Sequence, residues 1–185
     1  MKRFKHSGTL GDIIYGLPVV KFLGGGEFYL HLNQIDWIGQ HYYGSKPNPF
    51  HQGRMTREDL EFMRSFFEAQ DYITRFDALE KDTEITHNLD NFRPLFTGHP
   101  GNYVDIYAHT FGLTKEQSDQ IRTTPWLTVP NPRKIEGRPY VINRTARWNN
   151  PQSLDVWNAW RGEGADQQSL FVGLPEEYKA FCEFT

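Results

Sequence analysis

The chain is short of cysteine, of long apolar runs and of excess charge, and each shortage narrows what it can be. Of its 185 residues one is cysteine, Cys182, which excludes an intrachain disulfide framework and a cysteine-rich zinc site. A reducing compartment suits such a chain, so a cytoplasmic protein is expected. No apolar stretch approaches the roughly 20 residues of a membrane helix. The N-terminal "MKRFKHSGTLGDIIYG" has a charged start without the apolar centre of a secretion signal. The net charge is only -3, from 20 Lys and Arg against 23 Asp and Glu. No long basic run supplies the many phosphate contacts of bulk nucleic-acid binding. The seven histidines include no HxH or HxxxH pair, so neither a metal centre nor a cofactor is expected.

What the chain does have is a high aromatic share, 15%, and an alternation of strand-like and helix-like segments. "RFKHS" reads as a short strand and "DIIYGLPVVKFL" as a helix, with Ile13, Ile14, Leu17, Val20 and Leu23 near helical spacing. Asp12 suits its N-cap or first turn, Pro18 is a candidate kink, and Gly24-Gly25-Gly26 ends it. "EFYLHL" follows as a strand. "TREDLEFMRSFFEAQ" is the clearest helix: Thr56 caps it with Asp59 three residues on, and Leu60, Met63 and Phe67 line one face beside Phe62 and Phe66. "DYITRFDAL" and "TEITHNLD" read as two further strands, "NYVDIYAHTFGL" and "KEQSDQI" as helices. The prolines and Gly137 of "TPWLTVPNPRKIEGRPYVINRT" resemble a linker. It leads into a strand "YVINRT", then "SLDVWNAW", a strand "SLFVGL" and a closing helix "PEEYKAFCEF". This order predicts an α/β chain with a Rossmann-like, mainly parallel sheet and flanking helices. Residues 1–133 would form the first domain, and 134–185 a linker and a partial second unit.

In such sheets ligands bind beyond the carboxyl ends of the strands, where Ser7-Gly8-Thr9-Leu10-Gly11-Asp12 falls. Gly8 and Gly11 allow close backbone approach, and the helix start offers unpaired N–H groups. The hexapeptide has neither the GxGxxG spacing nor a P-loop lysine. Asp12 would repel a phosphate but suits the proton of a substrate hydroxyl, the helix start favouring its ionised form. A plain turn-and-cap and a catalytic seat both stand as readings.

"SGTLGDIIYGLPVVKFL" also resembles the opening of the heptosyltransferase-type glycosyltransferases (glycosyltransferase family 9 type), which have the GT-B fold. Gly11, Asp12, Leu17 and Pro18 match at the family's spacing. "YVINRTARWNN" and "SLFVGLPEEYKAF" more weakly resemble the start of that family's second domain. The resemblance implies inverting transfer of a sugar from a nucleotide-sugar donor to an acceptor hydroxyl without a bound metal. It implies Asp12 as the base, with Ser7, Gly8, Thr9 and Gly11 about it, and Arg144, Thr145 and Arg147 on the donor diphosphate. A complete GT-B enzyme has two domains of similar size, whereas this sequence stops at Thr185, so only the start of the donor-side unit is expected. Two strands and one helix bury too little surface to stand alone. Extension of the first sheet is therefore favoured, with a homodimer or a missing C-terminal partner as alternatives.

Each of these residues also has a plainer reading. The Arg144–Arg147 loop could face water, and His6 could be a structural strand histidine. "WIGQHYYGSKPNPFHQGR", a candidate acceptor loop, could simply pack on its own aromatics. Trp148, Trp157 and Trp160 are more simply buried than ligand-bound. Two rival functions remain: a non-catalytic nucleotide- or sugar-binding module, which would tolerate Asn at position 12, and a purely structural fragment.

Overall fold

The computed structural model describes residues 1–33, 55–95, 98, 101–129, 132, 136–137, 140–142, 169–172 and 178–179. The chain divides into two compact units, Met1–Pro130 and Asn131–Thr185.

The first unit alternates strand and helix as the sequence predicts. Strand β1 (Arg3–His6) leads into α1 (Leu10–Phe22), and β2 (Gly26–Leu30) follows. Helix α2 (Arg57–Glu68) precedes β3 (Ile73–Ala78), and the short β4 (His87–Asn88) runs directly into a 3-10 helix, Leu89–Leu95. Helices α3 (Tyr103–Thr110) and α4 (Lys115–Thr123) complete it. The four strands form one all-parallel sheet in the order β3-β2-β1-β4. This is an α/β, Rossmann-like architecture with flanking helices. The sheet grows from β1 through β2 to β3 and then reverses to place β4 on the other side of β1. The strand order therefore switches between β1 and β4.

Local chemistry sets the helix limits. Thr56 Oγ1 accepts from the Asp59 N–H at 3.2 Å, and the Asp59 carboxylate accepts from the Thr56 N–H at 2.8 Å. That reciprocal pair satisfies two donors that the first turn of α2 would otherwise leave unpaired. Asn102 with Asp105 and Thr114 with Gln117 repeat the device at α3 and α4. Helix α1 ends in the glycine run, where Gly25 lies at φ +69° and a Cβ would collide with the Tyr72 carbonyl oxygen. Only glycine permits that conformation and that approach together. Pro18 is accommodated inside α1 and is buried.

The core is aromatic. Phe4, Phe28 and Phe76, from three adjacent strands, are fully buried. Phe67 of α2 stacks on Phe76 with ring centres 4.2 Å apart and planes within 9°. On α3 the buried Tyr107 stacks on Phe92 of the 3-10 helix at 4.4 Å, and α1 packs against α3 and α4. Each buried ring contributes about 1.5–3 kcal/mol through removal of apolar surface from water.

Asp12 lies in the first turn of α1, one of the two positions expected for it, and Thr9 is the N-cap. The structure departs from the sequence expectations in three places. "TEITHNLD" yields only two strand residues before the chain tightens into the 3-10 helix. Phe62, expected beside the apolar face of α2, is 85% exposed, because it sits one position off the Leu60, Met63, Phe67 stripe. In the second unit, β5 (Tyr140–Ile142) and β6 (Ser169–Phe171) pair in parallel with each other as a separate two-stranded sheet. Among the described residues they do not extend the first sheet. No helix among the described residues is long and apolar enough to cross a membrane.

Candidate functional site

The carboxyl ends of β1 and β4 lie side by side at the point where the strand order reverses. In open α/β sheets such a point forms a crevice for ligands. Two chain segments leave it. From β1 come Ser7, Gly8 and Thr9 and then the first turn of α1; from β4 come Asp90 and Arg93 of the 3-10 helix.

Asp12 is mostly buried, its side chain 15% exposed, with Oδ2 at 3.7 Å from Arg93 Nη2. The Arg93 side chain is only 5% exposed. Its Nε faces Asp90 Oδ1 at 3.5 Å, and Nη1 and Nη2 are buried without a hydrogen-bond partner among the described residues. Asp90 in turn accepts from the Ser7 N–H at 3.0 Å and lies 3.2 Å from the Lys5 ammonium. Burial alone would raise the Asp90 carboxyl. The adjacent His6, the Ser7 hydrogen bonds and Lys5 outweigh it and hold Asp90 below the ordinary carboxylate range. Among the described residues the cluster sets Asp12 and Asp90 against Lys5 and Arg93, a balance suited to a neutral, hydroxyl-bearing ligand rather than a bare phosphate.

His6 forms the floor. It is fully buried, and burial pushes its imidazole down to about 4. The Gly8 N–H donates to Nδ1 at 2.7 Å, so the ring's own proton is on Nε2, 2.6 Å from the Tyr107 hydroxyl. That hydroxyl donates to the Asp12 carbonyl at 3.0 Å. Burial raises the Tyr107 phenol well above its usual range, with the Asp12 charge adding to the effect, so Tyr107 remains a neutral donor. One continuous chain of hydrogen bonds thus ties the Gly turn, β1, α3 and the first turn of α1. His6 is structural; it supports Asp12 from below.

Gly8 is required by space. A Cβ there would lie 2.5 Å from His6 Cε1, 2.6 Å from Arg93 Nη2 and 2.7 Å from Asp12 Oδ2. Arg93 and Asp12 meet over this residue because it has no side chain. Ser7 contributes its N–H to Asp90 and Thr9 the cap position, while Gly11 is exposed with nothing near its Cα to exclude a side chain. The structure therefore brings Ser7, Gly8, Thr9 and Asp12 together and gives Gly11 no packing role. Arg144, Thr145 and Arg147 lie outside the described residues, as do the aromatic loop after Asn33, the three tryptophans and Cys182.

Sequence reasoning missed Asp90, Arg93 and Tyr107. A usable signal existed for Asp90, which follows a parallel strand at the edge where ligands bind. Arg93 sits in "NFRPLF", which has no helical or strand period, and Tyr107 reads only as one member of an apolar stripe.

A depression of about 440 Å³ between α3 and α4, lined by Asp105, His109, Lys115, Ser118 and Arg122 among others, is a poorer candidate. Its charges are committed to one another: Ser118 Oγ donates to Asp105 at 2.6 Å, Arg122 pairs with Asp105 and Asp119, and Lys115 with Asp119 at 2.8 Å.

Fold and site together define an α/β domain with a carboxylate-arginine cluster at its switch point, where open sheets bind ligands. No protein-family model, curated protein or solved structure matches the chain.

Proposed function

We propose that the chain is a glycosyltransferase-like protein of GT-B, heptosyltransferase type, with Asp12 as the general base. One observation carries this reading: a carboxylate in the first turn of α1, at the β1–β4 switch point, beside a buried arginine. In the proposed step Asp12 takes the proton of an acceptor hydroxyl as that oxygen bonds to the anomeric carbon of a nucleotide-sugar. The bond from that carbon to the diphosphate breaks, and its electron pair leaves with the nucleoside diphosphate. Inversion at carbon follows from attack opposite the leaving group. The assignment of Arg144, Thr145 and Arg147 to the diphosphate rests on the sequence resemblance.

The test is transfer from UDP-, ADP- and GDP-sugars to a panel of sugar acceptors, with Asp12→Asn alongside. Asn keeps the shape but cannot take the proton, and a drop in turnover of roughly 100-fold or more is expected, with the melting temperature preserved. Transfer that survives the substitution would remove Asp12 from the chemistry. Saturable nucleotide-sugar binding, untouched by the substitution and without turnover, would make the chain a binding module instead.

A further inference from the structure

Arg93 is placed as a group that serves the site more than the fold. It is nearly fully buried, yet among the described residues its two terminal nitrogens have no hydrogen-bond partner. Its contacts with Asp90 and Asp12 are charge contacts at 3.5 and 3.7 Å, not the close forked hydrogen bonds that make an arginine–carboxylate pair strong. A buried guanidinium bonded so sparingly is a poor stabiliser, and an apolar side chain of similar length often serves the fold as well or better. Such a cost, borne at a site, is a signature of function. The direction of the side chain shows what is served. Asp90, already held by Lys5 and the Ser7 N–H, anchors Nε and turns the far end of the guanidinium onto Asp12 across Gly8.

Resting on the reading of Asp12 as the base, we propose that Arg93 is its positioning residue: anchored by Asp90, it holds the Asp12 carboxylate ionised and fixed over Gly8. Among the described residues, Arg93 is in charge contact with the Asp12 carboxylate and the Tyr107 phenol feels its charge, while Lys5 and His6 of β1 join the same cluster through Asp90.

The test compares the full-length chain with Arg93→Met and Arg93→Lys. It uses thermal denaturation and the carboxyl carbon resonance of Asp12 followed against pH, neither of which needs turnover. The expected result for Arg93→Met is a melting temperature equal to or above the parent's, with Asp12 titrating at higher pH than in the parent. Arg93→Lys, which keeps the charge, returns the titration toward the parent's. Where transfer is measurable, turnover falls at least tenfold in Arg93→Met and recovers in part in Arg93→Lys. An Asp12 titration identical in all three chains would overturn the proposal, whatever the transfer assay gives. So would collapse of the fold in Arg93→Met, because Arg93 would then be structural. The titration shift without transfer by any chain would leave Arg93 as the partner of Asp12 while sinking the transferase reading.

Discussion

His6 carries no charge at neutral pH, and the first turn of α1 depends on that. A proton on Nδ1 would displace the Gly8 N–H and place a charge where water cannot reach. The native imidazole titrates at about 4, below the roughly 6.5 of an unfolded chain. Between those values the unfolded chain holds a proton that the native one lacks. The stability that His6 contributes is therefore fully present above pH ~6.5 and drains as pH falls toward 4, by about 3 kcal/mol in all. Urea unfolding from pH 7 to 4.5 measures it. His6→Asn keeps an acceptor for the Gly8 N–H without titrating, and its stability should fall less steeply over that range; equal slopes would clear His6 of the effect. Gly8→Ala belongs to the same scale. The added methyl meets His6, Arg93 and Asp12 at once, and about 1–3 kcal/mol of destabilisation is expected in the same assay. Gly8 and Asp12 stood out in the sequence as a glycine and a carboxylate at a strand-to-helix junction, a pattern that serves a turn and cap as well as a site. Arg93 did not, since its meaning lies in what it faces across the crevice.

At the scale of elements, α2 was the most legible, and its start and its stripe can be tested separately. Thr56→Ala removes the acceptor for the Asp59 N–H and should cost about 1 kcal/mol by chemical denaturation. Phe62→Ser, on the exposed side, should change stability by no more than about 0.5 kcal/mol. A large loss there would mean that Phe62 is covered in solution. The two outcomes part because Thr56 satisfies a backbone donor while Phe62 touches mainly water. Strand β2 is buried at all five positions, as a central strand of a parallel sheet covered on both faces should be. In "TEITHNLD" the strand stops after His87–Asn88. The backbone then tightens through Asp90 and Arg93 ahead of Pro94, and seven residues of 3-10 helix leave no periodic trace.

At the scale of the whole molecule, the buried core among the described residues lies within Met1–Pro130. That part expressed alone should unfold in a single cooperative step on heating; a broad, non-cooperative melt would show that it needs the rest of the chain. The order β3-β2-β1-β4 was not legible, because one sequence gives strands and helices but not which strands become neighbours. The reversal beside β1 is what sets the Gly turn at the switch point. The same order leaves β3 and β4 as the outer strands among the described residues, and unpaired strand edges invite other chains to add to them. Here β4 is two residues long, too short to template a partner. On β3, Arg64 reaches over from α2 and donates to the Phe76 carbonyl at 2.7 Å while also pairing with Glu61 and Glu68. A strand arriving at that carbonyl would first have to evict a guanidinium and strand two carboxylates, so the arginine that fastens α2 to the sheet also stands guard against the sheet growing from one molecule into the next.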